Sequence, residues 1–129
     1  MPSFLSPLSQ NPEARYRLVN ARTGEVLADS LHGAFDSASR RKGLLGRESM
    51  GEGQALIIAP TNAIHTWFMK FEIDVVFTSK AGLIVKMSQS LKPWRMFAAL
   101  RGYAAIELPA GRLAATNTIR GDGLRIEVY

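Results

Sequence analysis

The sequence predicts a mainly β fold, a small single-domain β-barrel or sandwich with one or two short helices, and three observations predict it. Short β-favouring runs recur along the chain and are punctuated by Gly, Pro and Asn. No self-similarity occurs at the 20 to 50 residue periods of repeat proteins. The composition, 47% hydrophobic and 21% charged over 129 residues, is that of one globular unit. A chain of this size buries roughly two thirds of its unfolded surface, so it holds together without metal or disulfide. It contains no cysteine, which excludes disulfide frameworks, zinc ribbons, iron–sulfur clusters and thiol catalysis.

The elements follow in chain order. Pro2, Ser3, Ser6, Pro7, Ser9, Asn11 and Pro12 crowd the first twelve positions, a composition that predicts a flexible tail over residues 1–14 ahead of a β-rich domain over 15–129. This segment lacks the basic start of a secretory signal, and no apolar stretch approaches the roughly 18 residues that span a bilayer. Cytoplasmic residence with no membrane partner is therefore the expectation. Arg15 to Val19 and Glu25 to Ala28 flank the turn-forming Asn20 to Gly24 and predict a hairpin. From Asp36, a capping residue, Ser37 to Lys42 carries no β-branched side chain, which predicts a short helix ending near Gly43 or Gly46. Gln54 to Ala59 reads as a buried strand stopped by Pro60. If residues 65–73 are extended, His65, Trp67, Met69, Phe71 and Ile73 share one face. Asp74 to Ser79 and Leu83 to Met87, joined by Lys80-Ala81-Gly82, make the clearest hairpin. Tyr103 to Leu108 and the alternating Leu124 to Val128 supply two further strands.

Three stretches together resemble the prokaryotic family known as domain of unknown function 192. They are Arg40-Arg41-Lys42-Gly43-Leu44-Leu45-Gly46-Arg47, the run from His65 to Phe77, and Glu107-Leu108-Pro109-Ala110-Gly111 with Ile119-Arg120-Gly121-Asp122. Their order and spacing also agree, so the resemblance spans about residues 34–129. Leu45 stands where Met is usual in that family and Glu72 where Pro is usual. The resemblance implies a compact, β-rich fold and no particular activity.

Charge and chemistry narrow the candidates. Sixteen Lys and Arg oppose eleven Asp and Glu for a net charge of +5, yet no block of five or six like charges marks a nucleic-acid arm. Arg40 and Arg47 lie seven apart and share a helix face if the helix persists past Gly43. Their guanidinium groups suit an anionic ligand or a structural clamp on Asp74 or Glu107. The glycines at 43, 46, 51 and 53 lack the Gly-Lys-Ser/Thr ending of a phosphate loop. His65 and His32 are the only histidines, and no His-Glu-x-x-His motif is present, so no metal is expected. Trp94 beside Arg95, in an expected loop, suits either stacking on a sugar or plugging one end of a barrel. The leading reading is a non-catalytic binding module in which Arg40, Arg47, His65, Lys70, Asp74, Trp94, Arg95 and Glu107 gather around a small anionic or sugar-like ligand, without a cofactor. The alternative is an acid/base enzyme pairing Asp74 and Glu107 with His65. Weak nucleic-acid binding stands third.

Overall fold

The computed structural model describes residues 3–129. Short strands dominate, as the β-branched runs require, and they form three sheets. The first joins β1 (Tyr16–Asn20) to β2 (Val26–Ala28) on one side and β10 (Leu124–Val128) on the other. The second is five-stranded, in the order β3 (Ser30–Ala34), β4 (Gln54–Ile58), β9 (Ala104–Pro109), β6 (Ile73–Thr78), β7 (Ile84–Leu91). Only the β3–β4 pair in it is parallel. A ribbon of β5 (Ala63–His65) and β8 (Met96–Ala98) completes the set.

No sheet among the described residues closes on itself, so the barrel half of the expected fold is not confirmed. Closure requires the outer strands to pair, whereas β3 and β7 stay at opposite edges of the five-stranded sheet. A bridge between Leu83 and Gly123 ties the two larger sheets at one corner. Among the described residues three short helices are present rather than one or two: α1 (Ser6–Gln10), α2 (Ser37–Lys42) and α3 (Arg112–Ala115).

The central sheet is buried on both faces. Residues directly opposite one another in a ladder point to the same side, so the register assigns Val76, Ile106 and Ile57 to one face and Val75, Phe77 and Ile58 to the other. The first face packs on Leu18, Leu27 and Leu124 of the three-stranded sheet, with Leu5 and Leu113. The second is covered by Leu44 after α2, by Ile64 and Phe97 of the ribbon, and by Met69.

Several local features follow from the sequence chemistry. Asp36 caps α2, its carboxylate accepting from the Ser39 N–H at 2.7 Å. Gly43 (φ +47°) ends that helix, donating to the Ser39 carbonyl. In the β6–β7 turn Gly82 has φ +89°, and a Cβ there would lie 2.4 Å from the Leu124 carbonyl oxygen, so only glycine fits. The segment over 3–14, expected as a loose tail, carries α1. Phe4 N–H donates to Lys80 O at 2.8 Å, Leu5 is buried, and the Tyr16 hydroxyl donates to Pro7 and Asn11 carbonyls. Its polar composition hides three apolar groups, Phe4, Leu5 and Leu8, that pack on the first core face. Residues 1 and 2 lie outside the described residues. No helix among those described is long and apolar enough to cross a membrane.

A buried polar knot fastens the chain end to the first hairpin. Asp122 accepts from Arg22 Nε at 2.6 Å, Asn20 Nδ2 at 2.9 Å and Ile119 N at 2.9 Å. The Arg22 hydrogen bond, helped by those from Ile119 and Asn20, holds the Asp122 carboxyl well below the usual carboxylate range against the cost of its burial. A depressed folded value means stability that is present above the ordinary value of 3.8 and lost as pH falls below it. We expect Asp122→Ala to cost about 2–4 kcal/mol by orphaning these donors, read as a lowered urea midpoint at pH 7. The variant should also lose part of the wild-type stability decline below pH 4.

Candidate ligand-binding site

A cavity of about 450 Å³ lies on the second face of the central sheet, between α2 and the ribbon. Arg40, Arg41 and Lys42 of α2 stand on one side of it and His65 of β5 on another. Glu107 of β9 lies deep in it. The volume suits a small molecule. Arg41 and Lys42 are exposed and form no ion pair among the described residues. Arg40 is half-buried, its Nη1 bonded to the Phe35 carbonyl at 2.9 Å.

Glu107 is the unusual member. Only 3% of it is exposed, and its Oε2 is buried without a hydrogen-bond partner. Among the described residues no cation lies within ion-pair distance of it. Its ladder neighbours, Leu56 on β4 and Val75 on β6, are apolar. Burial without a compensating charge favours the neutral acid, and the Glu107 carboxyl is pushed up to about 8. At neutral pH it is therefore a protonated acid, able to donate a hydrogen bond into the cavity.

The remaining sequence candidates lie elsewhere. Asp74 is fully buried on the opposite face of the sheet, where its two oxygens accept from Ser90 N and Leu113 N, each at 2.9 Å. Because Asp74 lies opposite Leu108 and Glu107 opposite Val75, the two carboxylates point to different sides. The acid/base pair of the alternative reading does not form. Nor does an Arg47 clamp on either of them: Arg47 Nη2 bonds Gln54 Oε1 at 2.8 Å. As Gly43 led one to expect, α2 ends at Lys42, so Arg40 and Arg47 do not share a helix face. Lys70 pairs with Glu48 at 2.7 Å in full solvent.

Trp94 and Arg95 stand outside the cavity, on a ridge of two loops. Residues 65–73 are not one strand, because Phe68 adopts φ +65° and breaks the alternation. Trp94 has the same φ, and the two rings pack with centroids 4.6 Å apart. The fold enforces this through Thr66, which is buried: its N–H donates to Arg95 O, its carbonyl accepts from Trp94 N, and its hydroxyl donates to Lys92 O at 2.6 Å. Trp94 is 58% exposed, so it plugs nothing. His65 stacks on Trp67 at 4.7 Å and is the link between ridge and cavity. Arg41 and Lys42, which line the cavity, were not among the candidates drawn from the sequence. The run Arg40-Arg41-Lys42 was visible, but the cavity beside it was not. Among the described residues no group of three or more His, Cys, Asp or Glu side chains is arranged to hold a metal.

The chain is thus mainly β, and its central mixed sheet carries a basic-rimmed cavity under a short helix and a two-stranded ribbon. The profile of DUF192, described as uncharacterised ACR, COG1430, matches residues 19–126, and the chain belongs to that family. No curated protein matches it. Two solved structures are similar. One, from Sinorhizobium meliloti 1021 and described as a candidate transcription regulator, is 21% identical with a TM-score of 0.74, over 89% of this chain and 92% of that one. The other, a protein of unknown function from Novosphingobium aromaticivorans DSM 12444, is 18% identical with a TM-score of 0.74, over 86% and 83%. At these identities the likeness concerns the fold alone.

Proposed function

We propose that this chain is a single-domain, non-catalytic binding module of the cytoplasm that takes a small anionic ligand, with sugar phosphates as one class, in the cavity under α2. The observation that carries the reading is the juxtaposition of three consecutive bases and His65 with a cavity of about 450 Å³. Among the described residues Arg41 and Lys42 have no acidic partner, so their charge is available to an incoming anion. In this reading Arg40, His65 and Glu107, which line the cavity, form the inner site. Arg47, Lys70, Asp74, Trp94 and Arg95 leave the inner site, and Trp94 with Arg95 could contact only the outer part of a longer ligand. The separation of Asp74 from Glu107 removes the support for an acid/base enzyme. The transcription-regulator description belongs to the Sinorhizobium protein, and the sequence holds no block of five or six like charges that would support carrying it over.

A thermal-shift screen with sugar phosphates and dicarboxylates tests the reading. A ligand at 100 times its dissociation constant adds about 2.7 kcal/mol, which raises the melting temperature of a domain this size by about 10 °C. Arg41→Ala combined with Lys42→Ala should weaken such a ligand by about tenfold or more, without changing the melting temperature of the free protein, since both side chains are exposed. Binding that survives the double substitution unchanged would overturn the assignment of the anion to α2.

A further inference from the structure

The cavity is electrically two-ended. Its rim holds bases without acids, and its depth holds an acid without a base. Every ion pair among the described residues lies elsewhere, at Arg22–Asp122, Lys70–Glu48 and Arg125–Glu127. A simple anion answers the rim and leaves Glu107 Oε2 as unpartnered as before. Resting on the binding reading above, we propose that the cavity selects a zwitterion, its anionic group held by Arg41 and Lys42 and its ammonium group held by the Glu107 carboxylate. The ligand class is thus an amino-bearing anion such as an amino-sugar phosphate or an amino acid.

The physical argument is one of mutual compensation. An unpaired carboxyl in an apolar setting is costly in either protonation state, and a buried amine meets the same difficulty. Bringing the two together satisfies both, as long as water is excluded around them. The neighbours of Glu107 favour this exclusion, with Leu56 on β4 and Val75 on β6 beside it and Ile58, Ile64 and Met69 in the cavity wall. The charged and titratable groups facing the cavity are Arg40, Arg41 and Lys42 from α2 and His65 from β5. β4 and β6 contribute none next to Glu107. The rim therefore repels an ammonium group and the depth attracts it, which orients the ligand.

Proton balance gives the inference its own signature. The free protein holds the neutral acid at pH 7, since burial pushes the carboxyl up to about 8. On binding, Glu107 gives its proton to solvent and becomes the carboxylate that faces the ammonium, which keeps its own three protons. One proton is released per ligand bound.

The test is titration calorimetry at pH 7, repeated in buffers of different ionisation enthalpy, with matched probes: glucosamine 6-phosphate against glucose 6-phosphate, and 5-aminovalerate against valerate. We expect at least one amine-bearing probe to bind about tenfold or more tightly than its partner, with release of close to one proton. Glu107→Gln should erase that ratio. If both members of a pair bind equally and without proton release, the zwitterion inference is overturned while the anion reading stands. Should no probe of either kind bind, both fall together.

Discussion

Wild-type stability should fall steeply between pH 4.5 and pH 8, and Glu107→Gln should flatten that fall. The folded protein keeps the Glu107 proton up to about pH 8, whereas the unfolded chain releases it near the ordinary value of 4.5. Between these limits the unfolded state binds fewer protons than the folded state, so the unfolding free energy decreases as pH rises. The contribution is fully present below pH 4.5, is lost progressively up to pH 8, and changes no further above it. A tenfold change in proton affinity is worth 1.36 kcal/mol, so the loss is on the order of 5 kcal/mol. That is a large share of the 5–15 kcal/mol that typically holds a small domain folded. Glutamine occupies nearly the same volume and does not ionise. Its urea midpoint should therefore gain on the wild type as pH is raised from 5 to 9. Parallel pH profiles for the two proteins would show that Glu107 is ionised and partnered in the folded state. A zwitterion bound at the site should flatten the wild-type profile in the same way, because it gives the carboxylate its missing partner.

Asp74→Asn should be among the most destabilising isosteric substitutions in the chain, at about 2–4 kcal/mol. Both oxygens of Asp74 receive backbone N–H groups, one from Ser90 in β7 and one from Leu113 at α3, and the residue has no solvent exposure. Asparagine retains one acceptor and turns an NH₂ toward the other N–H, setting donor against donor in a buried place. The two donors belong to segments 23 residues apart, so the loss should loosen β7 and α3 together. Denaturant unfolding gives the magnitude. Amide exchange at Ser90 and Leu113 should accelerate in the variant, and protection as high as in the wild type would show that Asp74 is not their anchor. This residue is a structural acceptor, and the same substitution separates that role from a catalytic one.

The strands were legible where a β-branched run met a turn residue. Asp74 to Ser79 and Leu83 to Met87 became β6 and the first part of β7 because Val75, Val76, Ile84 and Val85 favour extended backbone and Gly82 permits the turn. Asp36 announced α2 because a carboxylate before a helix has an unsatisfied N–H to accept from. Three strands were not legible. β3 contains Gly33 and His32, and β5 and β8 are three residues each, too short for alternation to show. Their extended form depends on neighbours: β3 on the parallel register with β4, β5 and β8 on each other. The period-two reading of 65–73 failed for a related reason. Thr66 draws two loops into one buried hydrogen-bond knot, and Phe68 and Trp94 accept left-handed backbone to satisfy it.

The candidate site divides along the same line. Composition, capping and β-branched runs are local properties, and they were enough to specify a mainly β chain, the position of α2 and the presence of a basic run upon it. Which face of the sheet a carboxylate occupies is a matter of register between strands far apart in sequence. One step along β6 and β9 sends Asp74 to the three-stranded sheet and Glu107 to the cavity. Whether an acid is answered by donors, by a cation or by nothing is decided by what packs beside it. Asp74, Glu107 and Asp122 are all buried acids. Packing alone made one an anchor for backbone, one an unpaired acid in a cavity and one the partner of Arg22, because burial removes water and leaves the nearest protein atoms to set the charge.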